Sequence, residues 1–156
     1  MKNVYLLVLV LLVSTSVVFA ETQDCHVTTK KEISALFERW NASLQTGDAQ
    51  KVVDNYARQS ILLPTVSNTS RLTSAAKKDY FTHFLKRQPK GKIDLSIIDI
   101  GCNTAVDSGL YTFAFNDGKQ VRARYTYVYI WEGNQWLISS HHSSVMPEEY
   151  VQKSKI

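Results

Sequence analysis

At 156 residues, 21% of them charged and 44% hydrophobic, the chain suits one domain with a core of its own. A formal charge of +4 gives little reason to invoke nucleic acid. The densest basic stretch, KRQPKGK at 86–92, reads as a solvated loop between two elements.

In chain order, the first feature is a leader. Lys2, the apolar run Val4 to Val13 and the small-residue pattern Val18-Phe19-Ala20 read as a secretory signal peptide over 1–20, cut after Ala20. The apolar run is short for a membrane span of about 20 residues. The expected product is exported, to a periplasm or outside the cell, and free of the membrane once cleaved. Cys25 and Cys102 then meet an oxidising compartment, where a disulfide is the default. It would tie the tail 21–28 to the fold and, on the chain-entropy argument, stabilise it by up to about 4 kcal/mol. The alternative is two free thiols, which have no His or Cys at ligand spacing to make a metal site.

Thr29-x-x-Glu32 opens the folded part, 29–148, as a capping box. Ile33, Leu36, Phe37, Trp40 and Leu44 recur at helical spacing up to Gly47. Asp48 caps a shorter helix with Val52, Val53 and Tyr56 on its inner face. ILLPTVSN at 61–68 is a short strand and turn, and Pro64 demotes it to a sheet edge. Ser74 starts a third helix with Ala76, Tyr80, Phe81, Phe84 and Leu85 inward, ended by Pro89 and Gly91.

Four strands are expected near 93–100, 106–116, 119–131 and 135–144. Asp117-Gly118 and Gly133-Asn134 are two-residue hairpin signals. Counting outward from them, Tyr111 opposes Arg124, Thr126 opposes His141 and Tyr125 opposes His142. One face then carries Leu110, Val121, Tyr125, Tyr127, Tyr129, Trp131, Trp136, Ile138 and His142. The other carries Tyr111, Phe113, Phe115, Arg122, Arg124, Thr126, Val128, Ile130, Leu137, Ser139, His141 and Ser143.

Three helices cover one face, and the other needs a cover the chain lacks, which predicts a homo-oligomer. The face with Tyr125, Tyr127, Tyr129, Trp131, Trp136 and His142 has the composition of a subunit interface. The opposite face ends in Arg122, Arg124, Thr126, His141 and Ser143, with Tyr56 and Tyr80 as helix-side walls, a cleft for a small anion or polar molecule. A structural network, with Arg124 paired to a carboxylate such as Asp54, is the competing reading. Neighbouring histidines on one strand diverge, His26 is in the tail and His83 on a helix, so no three-ligand metal set is expected.

WNASLQTGD (40–48), LLPTVSN, YFTHFL (80–85), GKIDLSIIDIGCNTAVDSGLYTF (91–113), VRARYTYVY (121–129) and WLISSHHSSVMPE (136–148) resemble the exported bacterial branch of the calcium/calmodulin-dependent protein kinase II association-domain family. That family lies within the nuclear transport factor 2-like (SnoaL-like, cystatin-like) superfamily, and the likeness spans almost all of the chain after the leader. It implies an α+β cone, three N-terminal helices on a curved, mainly antiparallel sheet, with 149–156 as a C-terminal tail. It also implies self-association, since in the kinase this domain is the hub that dimerises through its sheet and builds a ring. It does not imply a kinase: the chain has no Gly-rich phosphate loop, no H-R-D and no D-F-G. The hub pocket takes small carboxylates on arginines. Those positions fall here on Tyr111, on a residue near Val128 and on Ser143, and the late proline of the hub on Pro147. Arg122, Arg124 and Arg71 keep the site basic.

Three functions compete. The first is a non-catalytic exported oligomer binding a small carboxylate or other polar ligand through Tyr56, Arg71, Tyr80, Tyr111, Arg122, Arg124, His141 and Ser143. The second is an isomerase or cyclase of the superfamily type, with His141 as candidate base, Arg124 poising it and Tyr111 donating a hydrogen bond. The third is a structural or partner-binding module. No G-x-G-x-x-G follows a strand, so no nucleotide cofactor is expected.

Overall fold

The computed structural model describes residues 24–65 and 67–147; the leader read at 1–20 and the C-terminal tail read at 149–156 lie outside the described residues. Helix α1, Lys30–Gln45, begins at the expected capping box. Glu32 takes the Thr29 N–H at 2.8 Å and returns its own N–H to Thr29 Oγ1 at 3.2 Å. The bonds its carboxylate accepts from the Thr29 N–H and from the Thr29 and Thr28 hydroxyls hold the Glu32 carboxyl below its usual range. Ile33, Leu36, Phe37, Trp40 and Leu44 form its buried stripe. Asn41 on the same side exchanges two 2.9 Å bonds with the Gly91 backbone, pinning the helix to the sheet.

Helix α2 is short, Ala49–Val53, capped by Asp48. Tyr56 does not extend it: strand β1 runs Tyr56–Leu63 and ends before Pro64. Helix α3, Ser74–Phe84, is capped by Thr73 and tightens into a 3₁₀ turn, Leu85–Arg87. It buries Lys77 where the apolar spacing favours Ala76. Lys77 is tolerated because its Nζ donates to the Ser60 and Leu72 carbonyls at 2.8 and 3.2 Å.

Strands β2 (Lys90–Gly101), β3 (Thr104–Ala114), β4 (Gln120–Glu132) and β5 (Gln135–Val145) complete a five-stranded sheet of order β1-β5-β4-β3-β2. Its pairs are antiparallel except β1 with β5, which is parallel.

Two irregularities reverse the faces expected from the turns. Phe115 N–H donates to the Lys119 carbonyl and Gly118 N–H to the Phe115 carbonyl, each at 3.0 Å, so the β3–β4 loop holds three residues instead of two. Gly118, at φ +77°, supplies the left-handed position such a loop requires. Tyr111 therefore opposes Ala123, not Arg124. The β4–β5 turn does hold two residues, Gly133 and Asn134, both at positive φ. Beyond it, however, Ser139 is an extra residue in β5, between the pairs Tyr129–Ile138 and Val128–Ser140. Tyr127 thus opposes His141, and Thr126 opposes His142.

The consequence is a correction. Tyr125, Tyr127, Tyr129 and Trp136 are buried in the core beneath the helices, not on an outer face. Trp131 is half-buried and covered by the chain's own tail, its ring stacked on His26 with centroids 3.4 Å apart. Of the residues expected at an interface, His142 alone stays exposed on the uncovered side. The energetic reason is area: burying the tyrosine row under α1 removes more apolar surface from water than burying Arg122, Arg124 and Thr126.

The tail is fastened by the expected Cys25–Cys102 disulfide. Asn103 adds to the clasp, accepting the His26 N–H at 2.7 Å and donating to the Asp24 carbonyl at 2.9 Å. That bond fits an oxidising compartment. Among the described residues no helix is long and apolar enough to cross a membrane.

Candidate functional site

A cavity of about 360 Å³ opens between α1, α3 and the inner face of the sheet. Its aromatic lining is Trp40, Phe81, Phe84, Phe113 and Phe115. A polar group in that lining is assembled from three separated segments. β3 supplies Tyr111, β5 supplies His141 and Ser143, and the turn after β1 supplies Thr65. Parallel pairing of β1 with β5 sets Leu62 and Leu63 beside His141 and His142, and so carries Thr65 up to Ser143.

The hydroxyls form a chain. Tyr111 Oη donates to Ser143 Oγ at 2.5 Å, and Ser143 Oγ is hydrogen-bonded to Thr65 Oγ1. Burial holds the Tyr111 phenol well above its ordinary value despite the bond to Ser143, so it stays protonated. His141 is 4% exposed; its Nδ1 lies 2.8 Å from Tyr56 Oη, and its Nε2 has no hydrogen-bond partner. Burial, helped by neighbouring His142, pulls the His141 pKa down to about 3. At neutral pH this ring is uncharged and a poor base.

Arg71 brings the positive charge. Two backbone bonds with Leu62, of 3.1 and 2.9 Å, hold it at the cavity edge. Its guanidinium carbon lies 5.8 Å from the Tyr80 ring centroid. Burial raises the Tyr80 phenol to about 12, with Arg71 pulling the other way. Arg71 Nε is buried and has no hydrogen-bond partner, and none of the ion pairs among the described residues includes Arg71. Asp79, also on the cavity wall, faces His83 at 3.9 Å. Arg87 lies over the Phe115 ring at 3.7 Å and reaches Asp117 at 3.7 Å.

Of the residues singled out from sequence, Arg71, Tyr80, Tyr111, His141 and Ser143 line this cavity, and Tyr56 stands behind His141. Arg122 and Arg124 do not join them. Both are exposed on the opposite face, where Arg124 donates to the Val145 carbonyl at 3.4 Å. Arg124 therefore cannot poise His141, nor does it pair with Asp54. Thr65, Trp40 and Phe84 escaped notice. Thr65 becomes visible only through the β1–β5 pairing, and the two rings read simply as core.

The family model for the calcium/calmodulin dependent protein kinase II association domain matches residues 29–147. The chain belongs to this association-domain family. A Xanthomonas campestris structure assigned to the same association domain is 41% identical, aligns over 84% of this chain and 100% of its own, and has a TM-score of 0.75. An iota-carbonic anhydrase from a cyanobacterium, solved in complex with bicarbonate, is 23% identical over 78% of this chain and 94% of its own, with a TM-score of 0.70. A nuclear transport factor 2-like protein from Pseudomonas putida KT2440 is 17% identical over 81% and 93%, with a TM-score of 0.67. These last two likenesses establish the nuclear transport factor 2-like fold of this chain. Comparison with curated proteins gives no match.

Proposed function

We propose that this association-domain protein is an exported homo-oligomer whose cavity binds bicarbonate and interconverts it with carbon dioxide. One observation carries the reading. An arginine without a carboxylate partner and a histidine whose buried Nε2 has no partner line the same cavity as a hydroxyl chain and aromatic rings. The donors suit the three oxygens of a small anion. The aromatic rings suit carbon dioxide, which has no charge or dipole to solvate. The volume accommodates either molecule together with water, each water taking about 30 Å³. Further support comes from the cyanobacterial iota-carbonic anhydrase with bicarbonate, which shares this fold.

The side chains divide the work. Arg71 supplies the charge that draws the anion, and protonated Tyr111 orients Ser143 by donating to it. Carbon dioxide and water give bicarbonate and a proton, and Ser143 and Thr65 offer a short hydroxyl path along which that proton leaves to bulk water at half-buried Thr65. His141, with its pKa pulled down to about 3 by burial, holds the ligand instead of taking its proton. The isomerase and cyclase reading loses its base for the same reason.

Two measurements test this. Titration calorimetry with bicarbonate should give binding that Arg71→Ala weakens at least about tenfold, the loss expected for a charge-assisted hydrogen bond. Stopped-flow hydration of carbon dioxide should be accelerated by the wild type and slowed about 100-fold by Ser143→Ala or Tyr111→Phe. Binding without turnover would reduce the protein to an anion-binding module, and no binding at all would overturn the reading.

Assembly is the second half of the proposal. Rows of paired residues cross all five strands on the uncovered face, for example Ile97, Ser108, Thr126, His142 and Leu63. Ile97 is 60% exposed and Leu95 49%, an apolar patch that a second copy of the chain would cover.

A further inference from the structure

Tyr56 is absent from the cavity wall yet reaches the site through His141. Its phenol oxygen and His141 Nδ1 are both buried and 2.8 Å apart. A neutral imidazole carries one N–H, so one nitrogen donates and the other accepts. Were Nδ1 the donor, the Tyr56 hydrogen would need a different acceptor. The described residues offer none: this phenol has no second hydrogen-bond partner. Its other polar neighbour is the Trp40 indole N–H, which approaches the oxygen without closing a bond and can only donate. Burial also keeps Tyr56 protonated, holding its phenol well above the ordinary value.

We infer that Tyr56 is the positioning residue that donates to His141 Nδ1, sets the ring proton on Nε2, and so makes His141 a fixed donor that selects ligands presenting an acceptor oxygen. The ring geometry agrees. His141 lines the cavity, and with Nδ1 taken by Tyr56 the ring nitrogen left for a ligand is Nε2, which is buried. Trp40 crosses the imidazole edge-on with centroids 5.4 Å apart and Tyr127 stacks on it at 4.2 Å, which prevents the ring from turning over. An unpartnered buried N–H is costly, and an oxyanion entering the cavity removes that cost. A ligand offering N–H at the same place would leave two donors facing each other. The ligand half of this inference rests on the bicarbonate reading above; the proton placement does not.

Long-range ¹H–¹⁵N correlation spectra of the full-length protein test it, with the His141 signals assigned by their loss in His141→Gln. The wild type should show protonated Nε2 and unprotonated Nδ1 at neutral pH, and bicarbonate should shift the Nε2 resonance. Tyr56→Phe should mix the two tautomers and raise the bicarbonate dissociation constant about tenfold. A wild-type ring protonated at Nδ1 overturns the inference without needing any variant. So does a Tyr56→Phe protein that keeps the single tautomer, or an Nε2 resonance that saturating bicarbonate leaves unmoved. If the tautomer is as expected and bicarbonate does not bind the wild type, the proposed function falls while the role of Tyr56 stands.

Discussion

His141 shows how burial converts a common switch residue into a constant one. Burial drops its pKa from 6.5 to about 3. In the unfolded chain the same ring takes a proton near 6.5, so as pH falls the unfolded state binds protons first. The stability this neutral histidine contributes is therefore complete above about pH 6.5 and drains away as pH falls towards 3. Urea midpoints measured from pH 7 down to pH 4.5 should decline less steeply for His141→Gln than for the wild type. Equal slopes would mean that the native ring takes up its proton as readily as the unfolded one. Sequence spacing brought His141 and Ser143 to notice as cavity lining, with His141 also a candidate base; the lowered pKa that argues against the base was not legible, because desolvation by Trp40, Tyr56 and Tyr127 leaves no local trace.

Strands were recognised more reliably than their register. Alternation after residue 90 and the Gly133-Asn134 turn are local signals, and both appear in the structure. Asp117-Gly118, by contrast, is compatible with a two- or a three-residue loop, and the choice between them turns β3 over relative to β4. The extra residue at Ser139 has no sequence signature, yet it puts His141 instead of His142 on the same face as Tyr125 and Tyr127. β2 has a comparable irregularity at Asp94, where its register with β3 shifts between Ile93 and Leu95. Gly109 sits against it: a Cβ there would lie 1.8 Å from the Leu95 carbonyl oxygen. Gly109→Ala should thus cost at least about 2 kcal/mol, since two backbones must part. Gly118→Ala meets no atom within 4 Å and should cost about 1 kcal/mol for its left-handed backbone alone. Chemical denaturation of the two variants compares them, and an equal loss would refute the close approach.

For the molecule as a whole, the sheet divides two tasks between its faces. The inner face, with Tyr125, Tyr127 and Tyr129, closes the core and lines the cavity's floor at Ala123 and His141. The outer face keeps Ile97, Leu95, Arg122, Arg124 and His142 in solvent. If the outer face is the assembly surface, Ile97→Lys should convert an oligomer to a monomer in light scattering while bicarbonate affinity stays within about twofold, because the cavity lies on the other side. A wild type that is already monomeric at micromolar concentration would defeat the assembly half of the proposal.

Capping at Thr29, the apolar stripe from Ile33 to Leu44, the GN turn and the pairing of Cys25 with Cys102 were readable in the chain. Each depends on neighbours a few residues away or on the compartment, and those are written in the order of the residues. Which face of β4 goes inside, and which arginine meets the cavity, were not readable. Those outcomes hang on one residue more in a loop, one residue more in β5, and a parallel pairing of segments eighty residues apart in rough terms. Only the competition of the whole tyrosine row against Arg122 and Arg124 for the space under α1 could choose among them.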